Sequence, residues 1–156
     1  MKKIILLPLL FIFIACGGTD DDTDDITDNL DNDKPFLEKF DGFGYQSDGE
    51  YYYFSDSTTF LKYVFLDDAE DGNYCVEFQE GLLIVDGYEY KISIVTNNST
   101  SLLMEMTWTD DGENIIESYE FTVDSTGNTL SIKYDNDPND IDLYTKTATT
   151  FASLCN

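Results

Sequence analysis

The stretch Tyr88-Glu89-Tyr90-Lys91-Ile92-Ser93-Ile94 alternates large apolar and polar side chains at every step. In an extended chain successive side chains point to opposite faces, so Tyr88, Tyr90, Ile92 and Ile94 share one face and the polar residues share the other. That is the pattern of a half-buried antiparallel strand. The same alternation runs through Leu102, Met104, Met106 and Trp108, through Tyr119, Phe121 and Val123, and through Leu130, Ile132 and Tyr134.

Working outward, less regular runs rich in Tyr, Phe, Val, Leu and Ile fill 51–55, 60–66, 74–79, 82–85 and 141–146. β-branched and aromatic side chains of this kind suit a pleated, half-buried surface. Turn signals separate the runs: Asp41-Gly42, Asp48-Gly49, Asp71-Gly72, Asp86-Gly87, Asn97-Asn98, Asp111-Gly112, Gly127-Asn128 and the polar run from Asp135 to Asp140. Asp86-Gly87 is the firmest, because both residues tolerate the positive φ of a type I′ hairpin. No segment shows a helical period. The expectation is an all-β domain, an antiparallel meander of about 8–9 strands with one apolar face. Such a sheet must hide that face, and closure into a barrel is the simpler solution; a two-sheet β-sandwich is the alternative.

Upstream of the domain the composition changes abruptly. Met1-Lys2-Lys3 precedes an apolar run from Ile4 to Ala15, the order of a signal peptide. As a helix this run rises only about 18 Å, short of the roughly 30 Å hydrocarbon core. Phe13-Ile14-Ala15-Cys16 resembles the lipobox of bacterial lipoproteins, which implies cleavage after residue 15 and lipid on Cys16, the one side chain able to form the thioether. Residues 16–33 then carry eight aspartates and almost nothing apolar, too little to offset chain entropy, so an acidic disordered tether is expected. The tether resembles the export tag of Bacteroidota surface lipoproteins; a plain solvated spacer is the alternative. Residues 34–156 remain as a single domain, displayed at the outer membrane and anchored by its lipid.

The chain has a formal net charge of −24 and no histidine. Removal of residues 1–15 leaves six lysines against all 32 acids. That field repels phosphate backbones, so nucleic acid is excluded as a partner. Without histidine, imidazole base chemistry and histidine-bearing zinc sites are also excluded. No metal and no cofactor is expected. With Cys16 lipidated, Cys75 and Cys155 form an even pair in an oxidising location and are expected to be joined as a disulfide; two separate buried thiols are the alternative.

The lipobox, the aspartate tether, the opening Phe36-Leu37-Glu38-Lys39-Phe40-Asp41-Gly42, the meander and the closing Tyr144-Thr145-Lys146 together resemble the small lipocalin-like surface lipoproteins of flavobacteria. The likeness covers nearly the whole chain. Lipocalins open with a Gly-x-Trp element, whereas this chain has Gly42-Phe43-Gly44-Tyr45 and its one tryptophan at Trp108. The resemblance implies a barrel and an address more than an activity.

Candidate chemistry is sparse. Glu89, Glu105, Glu117 and Glu120 lie in strands, where an enzyme could pair two of them as acid and base, but they read as a solvated sheet face. Catalysis is not expected. The acidic run 135–142 offers oxygen ligands reminiscent of a calcium loop without its glycine and closing glutamate, and a polar turn accounts for it as well. Asp56-Ser57-Thr58 and Asp124-Ser125-Thr126 match a short O-glycosylation triplet. If the barrel is hollow, Tyr88, Tyr90, Met104, Met106, Trp108, Tyr119 and Phe121 would line the cavity. The leading expectation is a non-enzymatic barrel that binds a small apolar or amphipathic ligand. Its rival is a filled barrel that docks on an outer-membrane protein or glycan through surface tyrosines, Tyr51-Tyr52-Tyr53 among them.

Overall fold

A computed structural model describes residues 33–66, 72–135, 137 and 139–155. The expected signal segment 1–15, the expected lipid site at Cys16 and all of the expected tether but Asp33 lie outside the described residues.

Ten antiparallel strands form one continuous sheet: β1 Gly44–Ser47, β2 Glu50–Phe54, β3 Thr59–Phe65, β4 Tyr74–Gln79, β5 Gly81–Val85, β6 Tyr88–Asn97, β7 Ser101–Asp110, β8 Glu113–Val123, β9 Thr129–Tyr134 and β10 Ile141–Thr147. Their spatial order is β4-β3-β2-β1-β10-β9-β8-β7-β6-β5. The meander thus curls until the first strand meets the last, with Tyr45 opposite Lys146. The result is a nearly closed barrel rather than a two-sheet sandwich. The seam falls between β4 and β5, the two edges of the sheet, joined only by Glu80. Gly81 follows at φ +108°, a left-handed backbone that turns the chain away from a hairpin.

Three two-residue Asp-Gly turns, each with both residues at positive φ, set the registers of β1 with β2, β5 with β6, and β7 with β8. Asp86-Gly87 closes Val85 onto Tyr88 as a type I′ turn demands. Elsewhere side chains staple the turns. Asn98 Oδ1 accepts from the backbone N–H of Thr100 and Ser101 at 2.8 Å each, an Asx turn between β6 and β7. Asp124 Oδ1 accepts from the N–H of Asn128 and Thr129 between β8 and β9. Burial raises the Asp124 carboxyl, but these bonds and one from the Thr126 hydroxyl outweigh it, and its pKa lies below the ordinary value.

Two short helices depart from the sequence expectation. α1 Phe36–Lys39 and α2 Phe151–Leu154 are each one turn long, too short to leave a period in the sequence. α1 plugs one end of the barrel. Phe36, Leu37 and Phe40 are buried in the core cluster with Tyr45, Phe54, Leu61, Ile92, Leu102, Phe121, Leu130 and Ile132. Its free N-terminal N–H groups are satisfied by the β6–β7 turn: Phe36 N–H donates to Asn98 O at 2.7 Å and Leu37 N–H to Asn97 Oδ1 at 3.1 Å. α2 lies outside β2 and β3. There Phe151 packs edge-on to Tyr53, with Lys62 Nζ 4.7 Å from its ring centroid. Cys155 then bonds to Cys75 on β4, with the Cα atoms 6.1 Å apart. The expected disulfide is present.

Candidate interior binding site

The registers decide which side chains enter the barrel. β2 and β3 pair Tyr52 with Tyr63 and Phe54 with Leu61. β7 and β8 pair Met104 with Tyr119 and Met106 with Glu117, and β8 with β9 pairs Tyr119 with Tyr134. All of these point inward. Near the α1 end the interior is filled. Farther along, Tyr52, Leu61, Tyr63, Phe78, Met104, Met106, Tyr119, Phe121 and Tyr134 surround a cavity of about 280 Å³. That is just below the range of drug-sized ligand pockets, roughly 300–1,000 Å³, and far larger than one water molecule.

The hydroxyls of Tyr63, Tyr119 and Tyr134 in the wall are tied to carboxylates that do not themselves line the cavity. Tyr63 and Tyr144 donate to the two oxygens of Glu50 at 2.9 and 2.6 Å. Tyr119 donates to Glu117 Oε2 at 2.6 Å, and Tyr134 donates to Asp142 Oδ2 at 3.0 Å. Burial pushes the phenols of Tyr52, Tyr63, Tyr119 and Tyr144 well above their ordinary value. It takes Tyr134 up to about 12, where the hydrogen bond and charge of Asp142 add to it. The phenols are therefore neutral donors at any ordinary pH. The carboxylates they serve sit among aromatic rings: Tyr52 and Tyr63 lie 4.9 Å apart between centroids, Tyr52 and Tyr144 5.1 Å, and Tyr119 and Tyr134 5.5 Å.

The residues singled out in the sequence divide into two groups. Met104, Met106, Tyr119 and Phe121 line the cavity together. Tyr88, Tyr90 and Trp108 do not line it. They border a shallow groove at the end of the β5–β6 hairpin, where the Tyr90 and Trp108 rings are 5.8 Å apart and Tyr88 is 63% exposed. The alternation places Tyr88 and Trp108 on the inner face, but at the far rim beside the edge strand β5, where Tyr88 is exposed and Trp108 is half-buried against Tyr90. The expected surface patch Tyr51-Tyr52-Tyr53 is also divided. Tyr52 enters the cavity, and Tyr53, 8% exposed, is covered by Phe151 with its hydroxyl buried and without a hydrogen-bond partner.

Glu117 corrects the solvated-face reading. It stands two residues before Tyr119 and so shares the inner face, whereas Glu120 pairs with Lys133 at 3.5 Å on the outer one. Missed altogether in the sequence were Glu50, Tyr63 and Tyr144 as one hydrogen-bonded group, drawn from three strands, and the pairing of Tyr134 with Asp142. The signal available was parity: Glu50, Tyr52 and Phe54 alternate, which puts a carboxylate on the apolar face. Among the described residues no three Cys, Asp or Glu side chains gather in a metal-holding group. Asn136 and Pro138, within the acidic run 135–142, lie outside the described residues. Asp124-Ser125-Thr126 forms the stapled β8–β9 turn described above.

No protein-family model, curated protein or solved structure matches this chain. The class of protein is therefore defined by the geometry alone: a ten-stranded antiparallel barrel, plugged at one end, with an aromatic cavity toward the other.

Proposed function

We propose that this protein is a lipid-anchored, surface-displayed, non-enzymatic barrel that binds a small amphipathic ligand in its interior. The observation that carries the reading is the cavity of about 280 Å³. Small barrels close-pack their interiors when packing is their only task, since every void forfeits dispersion contacts. Here the wall is apolar at Leu61, Phe78, Met104 and Phe121 and polar toward the carboxylates, a gradient that suits a molecule with a tail and a head. Thioether side chains add adaptability to the wall. The N-terminal lipid and acidic tether supply the membrane attachment in this reading.

The test is titration of the full mature chain, disulfide intact, with the uncharged fluorescent probe N-phenylnaphthylamine, alongside a demonstration of cooperative unfolding. Cooperative unfolding separates true uptake from dye binding by a loosely packed state. Saturable one-to-one binding that disappears in Met106→Trp, which fills the cavity, is expected. Absence of binding by the cooperatively folded chain refutes the reading.

One observation favours a second reading, docking of an outer-membrane protein. The edge strand β5 leaves Leu82 and Ile84 about 60% exposed beside the open seam. An uncovered apolar edge is a template for a partner strand. Leu82→Lys with Ile84→Lys would abolish such docking and leave probe uptake unchanged.

A further inference from the structure

We propose that the ligand carries a positively charged head, an amine or quaternary ammonium group seated among the tyrosine rings of the cavity, two of which hydrogen-bond Glu50 and Glu117 behind them; this rests on the ligand-binding reading. The strand registers force these two carboxylates onto the inner face, Glu50 opposite Ser47 and Phe65, and Glu117 opposite Met106. A half-buried carboxylate costs stability unless a cation or several donors compensate it. The donors that reach them are hydroxyls, Tyr63 and Tyr144 on Glu50 and Tyr119 on Glu117. The ion pairs of Lys34 with Glu38, Lys62 with Glu77 and Lys133 with Glu120 include neither inward glutamate.

The same wall supplies the second element of cation recognition. β3 and β8 stand five places apart in the order of the ten strands, so Tyr63 and Tyr119 come from opposite sides of the barrel. Tyr52 beside Tyr63 forms a tilted pair, and Tyr134 beside Tyr119 a T-shaped one, across the space between. The hydroxyl ends of Tyr63, Tyr119 and Tyr134 are occupied by carboxylates, which leaves ring surface and negative potential to a ligand. Ring faces attract a desolvated cation, and quaternary ammonium groups are bound this way because they lack N–H donors and are weakly hydrated. A phenol that stays protonated keeps that face electron-rich and adds no charge of its own. A fatty acid or phosphate head would meet like charge and would be rejected.

The experiment compares hexyltrimethylammonium, its uncharged carbon isostere and hexyl sulfate by calorimetry on the full mature chain, at low and at raised salt. The cation is expected to bind about tenfold or more tightly than the neutral isostere, corresponding to the ~1.4 kcal/mol of a partly desolvated cation–π contact. Hexyl sulfate is expected not to bind. Glu50→Gln removes the charge, keeps one acceptor oxygen for a tyrosine hydroxyl and offers an amide N–H to the other; within this variant the cation and the isostere should bind with equal affinity. Glu117→Gln provides the same comparison if Glu50→Gln does not fold. The preference must survive raised salt, which screens attraction to the acidic exterior. Equal binding of cation and isostere, a preference erased by salt, or indifference to both glutamine substitutions overturns the cationic head and leaves the binding barrel standing. Failure of all three compounds to bind the cooperatively folded chain overturns both.

Discussion

Replacement of both disulfide cysteines, Cys75→Ser with Cys155→Ser, removes the link between β4 and the C-terminal strap. The bond closes a loop across a sequence separation of 80 residues. In the chain-entropy account, a loop of that length restricts the unfolded chain by about 15 cal/mol/K, or roughly 4.5 kcal/mol near 25 °C. The folded state loses little of its own at first, because other contacts hold the strap: Phe151 against Tyr53, Lys62 over the Phe151 ring, and Asn73 Nδ2 donating to Leu154 O at 2.8 Å. The expected loss is thus about 4 kcal/mol, a large share of the 5–15 kcal/mol typical of a domain. Urea unfolding followed by tyrosine and tryptophan emission measures it. The midpoint should fall by roughly 2 M, and m should rise slightly, because an uncrosslinked unfolded chain exposes more surface. A loss below about 1 kcal/mol would refute the reasoning and show that the unfolded chain is already compact around this loop.

Two further outcomes follow from the core and its titratable groups. Tyr45 and Tyr144 are 0% and 1% exposed, and burial holds both phenols far above the ordinary 10.0, with the Asp124 charge adding for Tyr45 and the Glu50 hydrogen bond for Tyr144. Their stabilisation is complete below about pH 10 and is lost as pH rises toward the folded values, by ~1.4 kcal/mol per unit each; a urea midpoint that stays flat from about pH 9 to 11 would contradict this. Phe36→Ala empties the plug, where the ring sits 4.6 Å from Phe40 and 5.1 Å from Phe54 between centroids; thermal unfolding should show a loss of about 3–5 kcal/mol, and a loss under 1 would remove α1 from the core.

Much of the barrel was legible in the chain because antiparallel strands joined by tight turns are local objects. Alternation in β6 through β9 identified the inner face, and Asp-Gly pairs set the hairpins, since positive φ is a property of the dipeptide itself. β1 was not legible. Gly44-Tyr45-Gln46-Ser47 is short and has only one large apolar residue, yet it is the strand that meets β10 and seals the barrel. Its place is also sterically particular: a Cβ on Gly44 would come within 2.6 Å of the Tyr53 ring.

What the sequence determined by itself was periodic or covalent: strand faces, turn positions, the cysteine pair and a strongly negative net charge. Each depends on neighbours along the chain or on a count. What only the tertiary structure decided was convergence. That Tyr52, Tyr63, Tyr119 and Tyr134 meet around one space, while Trp108 and Tyr88 of the same inner face stop at the rim, depends on curvature and on where the seam falls. Those follow from the packing of all ten strands at once, a sum of many small long-range contacts that no local window of sequence contains.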